Sequence, residues 1–382
     1  MLVRYDCRHF LGHKPCRFRR ACDGCPHYAP FGERILIIKL AAVGDVLRTT
    51  PLLRGLRRAC PEAHITWLTD PGAVPLLEGI GEIDRLLAYD CENVLRLECE
   101  TFDRLYCFDK EARATALAMK VRAAHKAGFG MSAYGNVMPL DRASQYMFEL
   151  GIDDTLKFRI NKKTYPELVF ECAGLPYPGP QEYVFPDLSA EIGAAREKLA
   201  ASGVADSDLK IGLNTGAGAV FATKKWTEEG YVGLADLLAE RLGARILLLG
   251  GPAEVERNAR IRAAVRRPVI DTGNDNPLRA FAGIVGNCDL VVTGDTLAMH
   301  LAIGLGVPVV VILGSTCHQE IELYGRGAKI VSDFDCSPCY RSVCPKERTC
   351  MQAIAPEQVC EAVLQVLART ERALGPRRET RR

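Results

Sequence analysis

Short apolar runs alternate with helix-like stretches twice along this chain of 382 residues. The runs lie at 35–40, 65–68, 86–89 and 105–108, and again at 211–214, 246–249, 290–293 and 309–313. Continuous apolar runs separated by helices are typical of parallel strands that are buried on both faces. The sequence therefore predicts an α/β fold with two consecutive doubly wound domains. Such domains bind ligands at the carboxyl ends of their strands, which places a cleft between them.

Changes in composition predict where the domains begin and end. The length suits two domains of roughly 150 residues each, and the stretch 177–186 is rich in Pro, Gly and Tyr, as expected of a linker. The predicted parts are a Cys-rich extension over 1–33, a Rossmann-like domain over 34–180, a second one over 187–355 that includes a Cys-rich segment at 336–350, a C-terminal helix over 356–371 and a basic disordered tail over 372–382.

Charge and hydropathy limit the compartment and the partners. The net charge of +2 does not indicate a nucleic-acid binder. Both ends are basic, which suits contact with an anionic membrane face or, alternatively, a solvated tail. The stretch 296–316 lacks Asp, Glu, Lys and Arg, but Gly304, Gly306 and Pro308 interrupt it, so a helix, a turn and a strand explain it better than a membrane span. The start MLVRYDCRHF is no secretory signal, and we expect a cytoplasmic protein, peripheral on the inner membrane.

An acidic residue follows the first predicted strand. In the segment AAVGDV, Gly44 permits a tight turn and Asp45 would stand at the mouth of the cleft. A carboxylate there can take the proton from an incoming hydroxyl. Helix capping by Asp45 is the alternative, and residue chemistry alone favours it. The segment contains no Gly-x-Gly-x-x-Gly, which argues against a dinucleotide cofactor.

The second half carries groups that suit a nucleotide. Thr215 and two glycines follow the strand at 211–214, and Lys224 and Lys225 come soon after. Small residues, backbone N–H groups and lysines can cradle a diphosphate. Glu254 follows a Gly-Gly-Pro turn, where a carboxylate can accept hydrogen bonds from a ribose diol, although helix capping explains it equally well.

A strand-to-helix junction at 291–302, VVTGDTLAMHLA, is the most informative segment. Asp295 and Thr296 lie where backbone N–H groups of the helix would face the cleft and bind an anionic leaving group. His300 lies on the second turn, and a histidine at such a position is more often a core residue than a catalyst.

Four segments together carry a resemblance to a known family. The segments ILIIKLAAVGDVLRTTP, KKW, GGPAE and TGDTLAMHLA occur in the order and spacing of the glycosyltransferase family 9 heptosyltransferases. Over residues 34–370 the chain resembles this family, which transfers heptose from ADP-heptose to the inner core of lipopolysaccharide. The resemblance implies a GT-B fold and inverting transfer that needs no catalytic cofactor. In this fold an acceptor domain, here residues 34–180, and a nucleotide-sugar domain, here residues 187–355, would form the two halves of a central cleft.

The resemblance also implies roles for single residues. The family's general base falls on Asp45, and its donor contacts fall on Lys224, Glu254, Asp295 and Thr296. We add Thr215, Lys225 and His300 to the expected donor site, because Thr215 follows the strand at 211–214 and the other two lie in the segments KKW and TGDTLAMHLA. One position departs from the family: Leu297 stands where the family commonly has Gly, which puts the identity of the donor in doubt.

Eight of the sixteen cysteines form two sets. The N-terminal set is Cys7, Cys16, Cys22 and Cys25, and the C-terminal set is Cys336, Cys339, Cys344 and Cys350. Without an export signal, such sets indicate metal before disulfides, and four thiolates can hold zinc or an iron–sulfur cluster. Reduced thiols are the alternative. In GT-B proteins the last helix often crosses back onto the first domain, and the two sets are therefore expected to be neighbours.

The leading hypothesis is a heptosyltransferase with a nucleotide-diphosphate sugar and a lipid-linked glycan as its partners. A second hypothesis keeps the chemistry but uses another nucleotide sugar and a different surface glycan. A third, from another class, is an iron–sulfur redox or sensor protein on a Rossmann-like scaffold.

Overall fold

The computed structural model describes residues 1–217 and 222–374 of the chain. The final helix ends at Leu374, so the first residues of the predicted tail at 372–382 are helical and the rest of that tail lies outside the described residues.

The first half forms a six-stranded sheet in the order β3-β2-β1-β4-β5-β6, in which only the β5–β6 pair is antiparallel. The strands are β1 (Arg34–Ile38), β2 (His64–Thr69), β3 (Arg85–Ala88), β4 (Thr101–Cys107), β5 (Arg122–Met131) and β6 (Val137–Pro139). Residues 35–38 of the central strand β1 are completely buried, because helices and loops cover both faces of the sheet.

Seven helices accompany this sheet. They are α1 (Val43–Thr49), α2 (Pro51–Ala59), α3 (Val74–Leu77), α4 (Cys91–Cys99), α5 (Ala112–Lys120), α6 (Gln145–Glu149) and α7 (Tyr165–Cys172). A single π-helical turn, Leu156–Ile160, precedes α7. Proline at the first position of α2 explains why helix α1 stops at Thr49 and a new helix starts, since proline fits the first turn of a helix but not its interior.

The second half repeats the arrangement with an all-parallel sheet in the order β12-β11-β10-β7-β8-β9. Its strands are β7 (Lys210–Asn214), β8 (Arg245–Leu249), β9 (Ile270–Asp271), β10 (Leu290–Thr293), β11 (Val309–Leu313) and β12 (Gly327–Val331). The helices are α8 (Ser189–Ala201), α9 (Glu228–Leu242), α10 (Val255–Ala264), α11 (Leu278–Gly286), α12 (Leu297–Gly304), α13 (Cys350–Ala353) and α14 (Pro356–Leu374).

Two doubly wound domains are therefore present, and all eight strands predicted from apolar runs are found. The uncharged stretch 296–316 is a helix, a turn and a strand, as expected. Among the helices of the described residues, none combines the length and the apolar character that crossing a bilayer requires.

The cysteine sets lie far apart in the fold, which contradicts the expectation that they are neighbours. The extension that carries the N-terminal set packs at the amino ends of β1 and β2, where Phe31 contacts His64 edge-to-face. The C-terminal set lies beyond the carboxyl end of β11, with Cys350 against Gly314. Helix α14 packs on α9 and on strands β10 to β12 of its own domain. The prediction that it returns to the first domain is wrong.

Candidate active site

Asp45 lies in the first turn of α1, directly beyond the carboxyl end of the central strand β1. The helix begins after Ala42, whose side chain offers no capping hydrogen bond. The Ala42 backbone is one of the groups that stabilise the ionised Asp45, so Asp45 also supports the helix start. About 35% of its side chain is exposed, which leaves the carboxylate accessible to a substrate.

Arg48 lies one turn further along α1 and binds Asp45 directly, with 2.8 Å between its Nη2 and Asp45 Oδ1. The guanidinium also lies 3.7 Å from the carboxylate of Glu320, which belongs to the second domain. Its central carbon stacks 3.7 Å from the centre of the Tyr165 ring. Arg48 is thus held by two carboxylates and one aromatic face, and it connects the two domains.

These neighbours decide the protonation state of Asp45. Burial alone would raise the pKa of the carboxyl group, but the positive charges of Arg48 and Lys39, together with His300, outweigh it and lower the pKa to about 2. Asp45 is therefore ionised at neutral pH and can accept a proton.

Lys39 and Asp109 form a buried ion pair beneath the candidate base. Lys39 is the last polar group before the turn that leads to α1, and its Nζ lies 2.6 Å from Asp109 Oδ1. Both side chains are almost completely buried. Asp109 also accepts a hydrogen bond from the Leu40 backbone, which fixes the turn after β1. Breaking such a buried pair by removing one partner is costly, so the turn is held firmly.

His300 of α12 packs directly on helix α1. A Cβ atom at Gly44 would overlap with the His300 ring, so only glycine allows this approach. His300 Nδ1 lies 3.0 Å from the Tyr183 hydroxyl. Burial first, and then the Arg48 charge, lower the pKa of His300 to about 4, so the ring is neutral at pH 7. These contacts give His300 a place in the domain interface; its role in donor binding stays a prediction.

Asp295 and Thr296 follow β10 and face the loop after β7. Asn214 Nδ2 donates to Thr296 Oγ1 at 3.2 Å and to Thr293 Oγ1 at 3.1 Å. Asp295 accepts from Lys224 Nζ at 3.1 Å. Burial opposes ionisation of Asp295, but Lys224 and then His300 lower its pKa. The structure thus brings Lys224, Asp295 and Thr296 together, as the sequence predicts for a donor site.

The two adjacent lysines point to different places. Lys224 binds Asp295, whereas Lys225 lines a cavity of about 480 Å³ beside the C-terminal cysteine set. Of the two lysines that the sequence places at the donor site, only Lys224 therefore lies beside Asp295.

Glu254 lies beside the same loop and is nearly buried. Its Oε2 accepts a hydrogen bond from the Gly251 N–H at 3.0 Å. Its Oε1 is buried and has no hydrogen-bond partner among the described residues. A buried carboxylate oxygen without a partner is unfavourable, and a ligand hydroxyl would satisfy it. The turn-capping interpretation accounts for one oxygen, and the other remains available for a ribose.

Thr215 has a different environment from the one we expected. It is completely buried, and its hydroxyl donates to Asn258 Oδ1 at 2.5 Å. The side chain therefore supports the loop after β7 from below. Leu297, at the position where the family commonly has Gly, is half-buried and packs against the apolar cluster of the second domain.

The sequence profile of glycosyltransferase family 9 (heptosyltransferase) matches residues 95–350 of this chain, about two thirds of its length.

This chain belongs to glycosyltransferase family 9.

Similar proteins agree with this assignment. The glycosyltransferase is 25% identical to lipopolysaccharide heptosyltransferase 1 of Pseudomonas aeruginosa over 330 residues, which is 83% of this chain and 88% of the relative. The solved structure of E. coli ADP-heptose lipopolysaccharide heptosyltransferase II aligns with a TM-score of 0.64 at 19% identity, over 88% of this chain and 99% of that one. This likeness supports the predicted GT-B fold.

A third solved structure is also similar in fold to the glycosyltransferase. TibC from enterotoxigenic E. coli is an iron-containing dodecameric glycosyltransferase, and its structure aligns with a TM-score of 0.52 at 13% identity over 89% of this chain and 77% of that one. Among residues 1–217 and 222–374 of the present chain, no three His, Cys, Asp or Glu side chains stand in an arrangement that could hold a metal ion. The four thiols of the C-terminal set nevertheless line one cavity.

Several site residues escaped the sequence reasoning. Arg48, Glu320 and Tyr183 complete the surroundings of Asp45 and His300, and the sequence analysis assigned none of them to the site, although Arg48 lies in the segment ILIIKLAAVGDVLRTTP. One signal was available: Lys39 interrupts the apolar run ILIIKL, and a lysine in a buried strand requires a carboxylate partner, here Asp109.

Proposed function

We propose that this glycosyltransferase moves heptose from ADP-heptose to a hydroxyl group in the inner core of lipopolysaccharide, with inversion at the anomeric carbon. The relative in Pseudomonas aeruginosa and the E. coli structure support the donor and acceptor by their names. The observation that carries the proposal is that helix α1, which bears Asp45, packs directly on helix α12, which begins beside Asp295, with Gly44 against the His300 ring. The candidate base and the candidate donor site thus face one cleft.

In this mechanism Asp45 is the general base. Its carboxylate takes the proton from the acceptor hydroxyl while the hydroxyl oxygen forms a bond to the anomeric carbon of heptose. The bond between that carbon and the diphosphate oxygen breaks at the same time, and ADP leaves with the bonding electrons. Attack from the side opposite the leaving group inverts the anomeric configuration.

The second domain would hold the donor. Lys224 would turn from Asp295 towards the diphosphate, and the backbone N–H groups at the start of α12 would receive its oxygens. Glu254 would accept a hydrogen bond from a ribose hydroxyl at Oε1, which has no partner within the described ranges 1–217 and 222–374. Negative charge builds up on the diphosphate as ADP leaves. Lys224 and the backbone N–H groups of α12 would stabilise that charge, so the arrangement favours the transition state.

A donor screen tests this proposal. Purified protein is titrated calorimetrically with ADP, UDP and GDP, and turnover is then measured with the corresponding sugars and heptose-deficient lipopolysaccharide. We expect ADP to bind and ADP-heptose to be consumed. Binding of UDP or GDP in place of ADP would contradict the proposed donor.

Leu297 favours an alternative in which the donor is a nucleotide sugar other than ADP-heptose. Leu297 begins α12 at the position where the family commonly has Gly, next to the predicted diphosphate site. Its side chain could select a donor of different shape, and a different surface glycan would then be the acceptor. The same screen separates the two, because only this alternative predicts turnover of a non-heptose donor.

We further propose that the two cysteine sets hold structural zinc or an iron–sulfur cluster. At the C-terminal set, burial raises the pKa of Cys350, and the neighbouring thiols of Cys339, Cys344 and Cys336 raise it further. Four cysteines that line one cavity would supply the four thiolates that zinc or an iron–sulfur cluster requires. The similar protein TibC is an iron-containing glycosyltransferase, which supports this proposal. The redox-sensor hypothesis is not needed to explain these cysteines.

We also propose that the protein works in the cytoplasm against the inner membrane. Residues 1–34 hold seven Lys and Arg against three Asp and Glu, and a basic surface of this kind is attracted to anionic lipids. Sedimentation with vesicles of phosphatidylglycerol tests this, and vesicles of phosphatidylcholine are the control. Equal binding to both, or to neither, would contradict the proposal.

A further inference from the structure

The segment 335–341, which we call the bridge, joins the acceptor half of the cleft to the loop that carries Lys224. On the side of the first domain, Arg159 donates from Nη1 to the Ser337 carbonyl at 3.0 Å and from Nη2 to the Asp335 carbonyl at 2.7 Å. The two terminal nitrogens of the planar Arg159 guanidinium thus bind two backbone carbonyls, which fixes both the position and the orientation of the bridge relative to Arg159.

An aromatic contact strengthens the same junction. The ring of Phe158 stacks on Tyr340 of the bridge, with 5.4 Å between the ring centres and 13° between the planes. Lys157 places its ammonium 4.5 Å from the centre of the Tyr340 ring. Three consecutive residues of the π-helical turn therefore all contact the bridge.

On the side of the second domain, the bridge binds the end of β11 and the loop after β7. The N–H groups of Cys339 and Tyr340 both donate to the Ser315 carbonyl, at 3.1 and 2.9 Å. The hydroxyl of Thr223 donates to the Arg341 carbonyl at 2.6 Å and lies 3.2 Å from Ser315 Oγ. Thr223 is the residue immediately before Lys224.

The consequence for Lys224 follows from its position. Thr223 and Lys224 end a short 3₁₀ turn, Ala222–Lys224, and the Lys224 carbonyl packs beside Gly294. The Lys224 ammonium group extends from this turn to Asp295 Oδ2 at 3.1 Å. The hydrogen bond from Thr223 to the Arg341 carbonyl attaches the same turn to the bridge.

We propose that Thr223 is a positioning residue for donor binding, and that it acts through the bridge, which Arg159 anchors to the acceptor half. This inference rests on the proposed function, because it takes Lys224 to be a ligand of the donor diphosphate. Neither Thr223 nor Arg159 is proposed to touch the nucleotide. Both would act by holding the backbone turn that carries Lys224 before the donor arrives, so that only the Lys224 side chain has to move, which lowers the ordering cost of binding.

The variants Thr223→Val and Thr223→Ser test the positioning role. Valine has a similar shape but no hydroxyl, whereas serine keeps the hydroxyl. Calorimetric titration with ADP is the measurement. We expect Thr223→Val to bind ADP about tenfold more weakly, the scale of one lost hydrogen bond, and Thr223→Ser to bind close to the wild type. Thr370→Val, which removes a comparable hydroxyl from helix α14, should leave ADP binding unchanged.

Arg159→Gln tests the other end of the bridge. We expect it to weaken ADP binding by about threefold although Arg159 lies in the acceptor half, because its two hydrogen bonds to the bridge are lost. In the double variant with Thr223→Val, the combined loss should be smaller than the product of the single losses, since both changes release the same segment. Losses that multiply would show that the two residues act independently and would overturn the inference.

Two further outcomes separate this inference from the proposed function. Wild-type protein that binds UDP or GDP in place of ADP refutes the proposed donor, and the same variants are then compared with that nucleotide. If Thr223→Val and the wild type bind ADP with equal affinity, only the positioning role is refuted. Absence of binding to any of the three nucleotides overturns both. A lower melting temperature with unchanged ADP affinity would show that Thr223 has only a structural role.

Discussion

Asp45 and Arg48 form an ion pair within one turn of helix α1, with 2.8 Å between the carboxylate and the guanidinium. The pair sets the charge of the candidate base and also connects it to Glu320 of the second domain at 3.7 Å. A single arginine therefore sets the charge of the candidate base and contacts the second domain.

The first prediction concerns Asp45 itself. Asp45→Asn should lower turnover by at least about a hundredfold, the usual effect of losing a general base, while ADP binding stays intact. The measurement is turnover of ADP-heptose at saturating acceptor, with ADP titration of the same sample as the control for folding. Turnover near that of the wild type would remove Asp45 from the mechanism.

The second prediction uses the pH dependence of Arg48→Gln. The wild-type Asp45 has a pKa of about 2, so its protonation should not limit kcat/KM above pH 4. Without the Arg48 guanidinium, the burial that opposes ionisation of Asp45 is compensated less, so the pKa of Asp45 rises. The acidic limb of the pH profile of kcat/KM should therefore move upward by about one to three pH units. Arg54→Gln, an exposed arginine on the next helix, is the matched control. An unchanged acidic limb in Arg48→Gln would show that Arg48 does not set the charge of the base.

The third prediction concerns Glu254 and the ribose. Wild-type protein should bind ADP at least about tenfold more tightly than 2′,3′-dideoxy-ADP, because Oε1 accepts a charge-assisted hydrogen bond from the diol. Glu254→Gln should lose most of this preference. Glu256→Gln, an exposed acid on helix α10, should retain it. If the wild type does not distinguish the two nucleotides, Glu254 does not bind the ribose.

The fourth prediction tests the contact between Gly44 and His300. In Gly44→Ala the added methyl group would overlap with the His300 ring, so helices α1 and α12 must move apart. The free energy of unfolding should therefore fall by about 1–3 kcal/mol. Gly193→Ala is a suitable control, because it lies in helix α8 with open space around it and should be neutral or stabilising. Combining Gly44→Ala with His300→Ala should recover part of the loss. Chemical denaturation measures all four proteins, and equal stability of Gly44→Ala and Gly193→Ala would argue against a tight domain contact.

The fifth prediction concerns the cysteine sets. Elemental analysis should find about one or two zinc ions, or an iron–sulfur cluster, per chain, as two four-thiolate sets allow. Cys339→Ser and Cys22→Ser should each lower metal content and melting temperature, while the folded fraction keeps much of its activity. Cys91→Ser, an exposed cysteine outside both sets, should change neither. Either set variant that stays fully folded and metal-loaded but loses turnover would contradict a structural role.

The sequence by itself determined the two-domain architecture and the segments that form the site. Most of the central strands consist of a short apolar run, because burial on both faces favours apolar side chains, and that signal is local. Strand β4 shows it only in its second half, since Asp103 and Arg104 precede the apolar residues. It failed for β5, β6, β9 and β12, which lie at or next to sheet edges and are shorter or more polar, as Arg122–Met131 illustrates. Asp45, Glu254 and Asp295 could be named because they lie shortly after strands, and Lys224 because the KKW segment resembles the family.

Only the tertiary structure decided which of these groups meet. Lys224 rather than Lys225 binds Asp295, 71 residues away, and Lys39 pairs with Asp109, 70 residues away. Arg48 and Glu320 come from different domains, and helix α14 packs on its own domain although the family pattern suggested the other. Such contacts depend on how the sheets and helices pack in three dimensions, which residue spacing along the chain does not record. A strand is specified by its own side chains, whereas an ion pair between distant segments is specified by everything that packs between them.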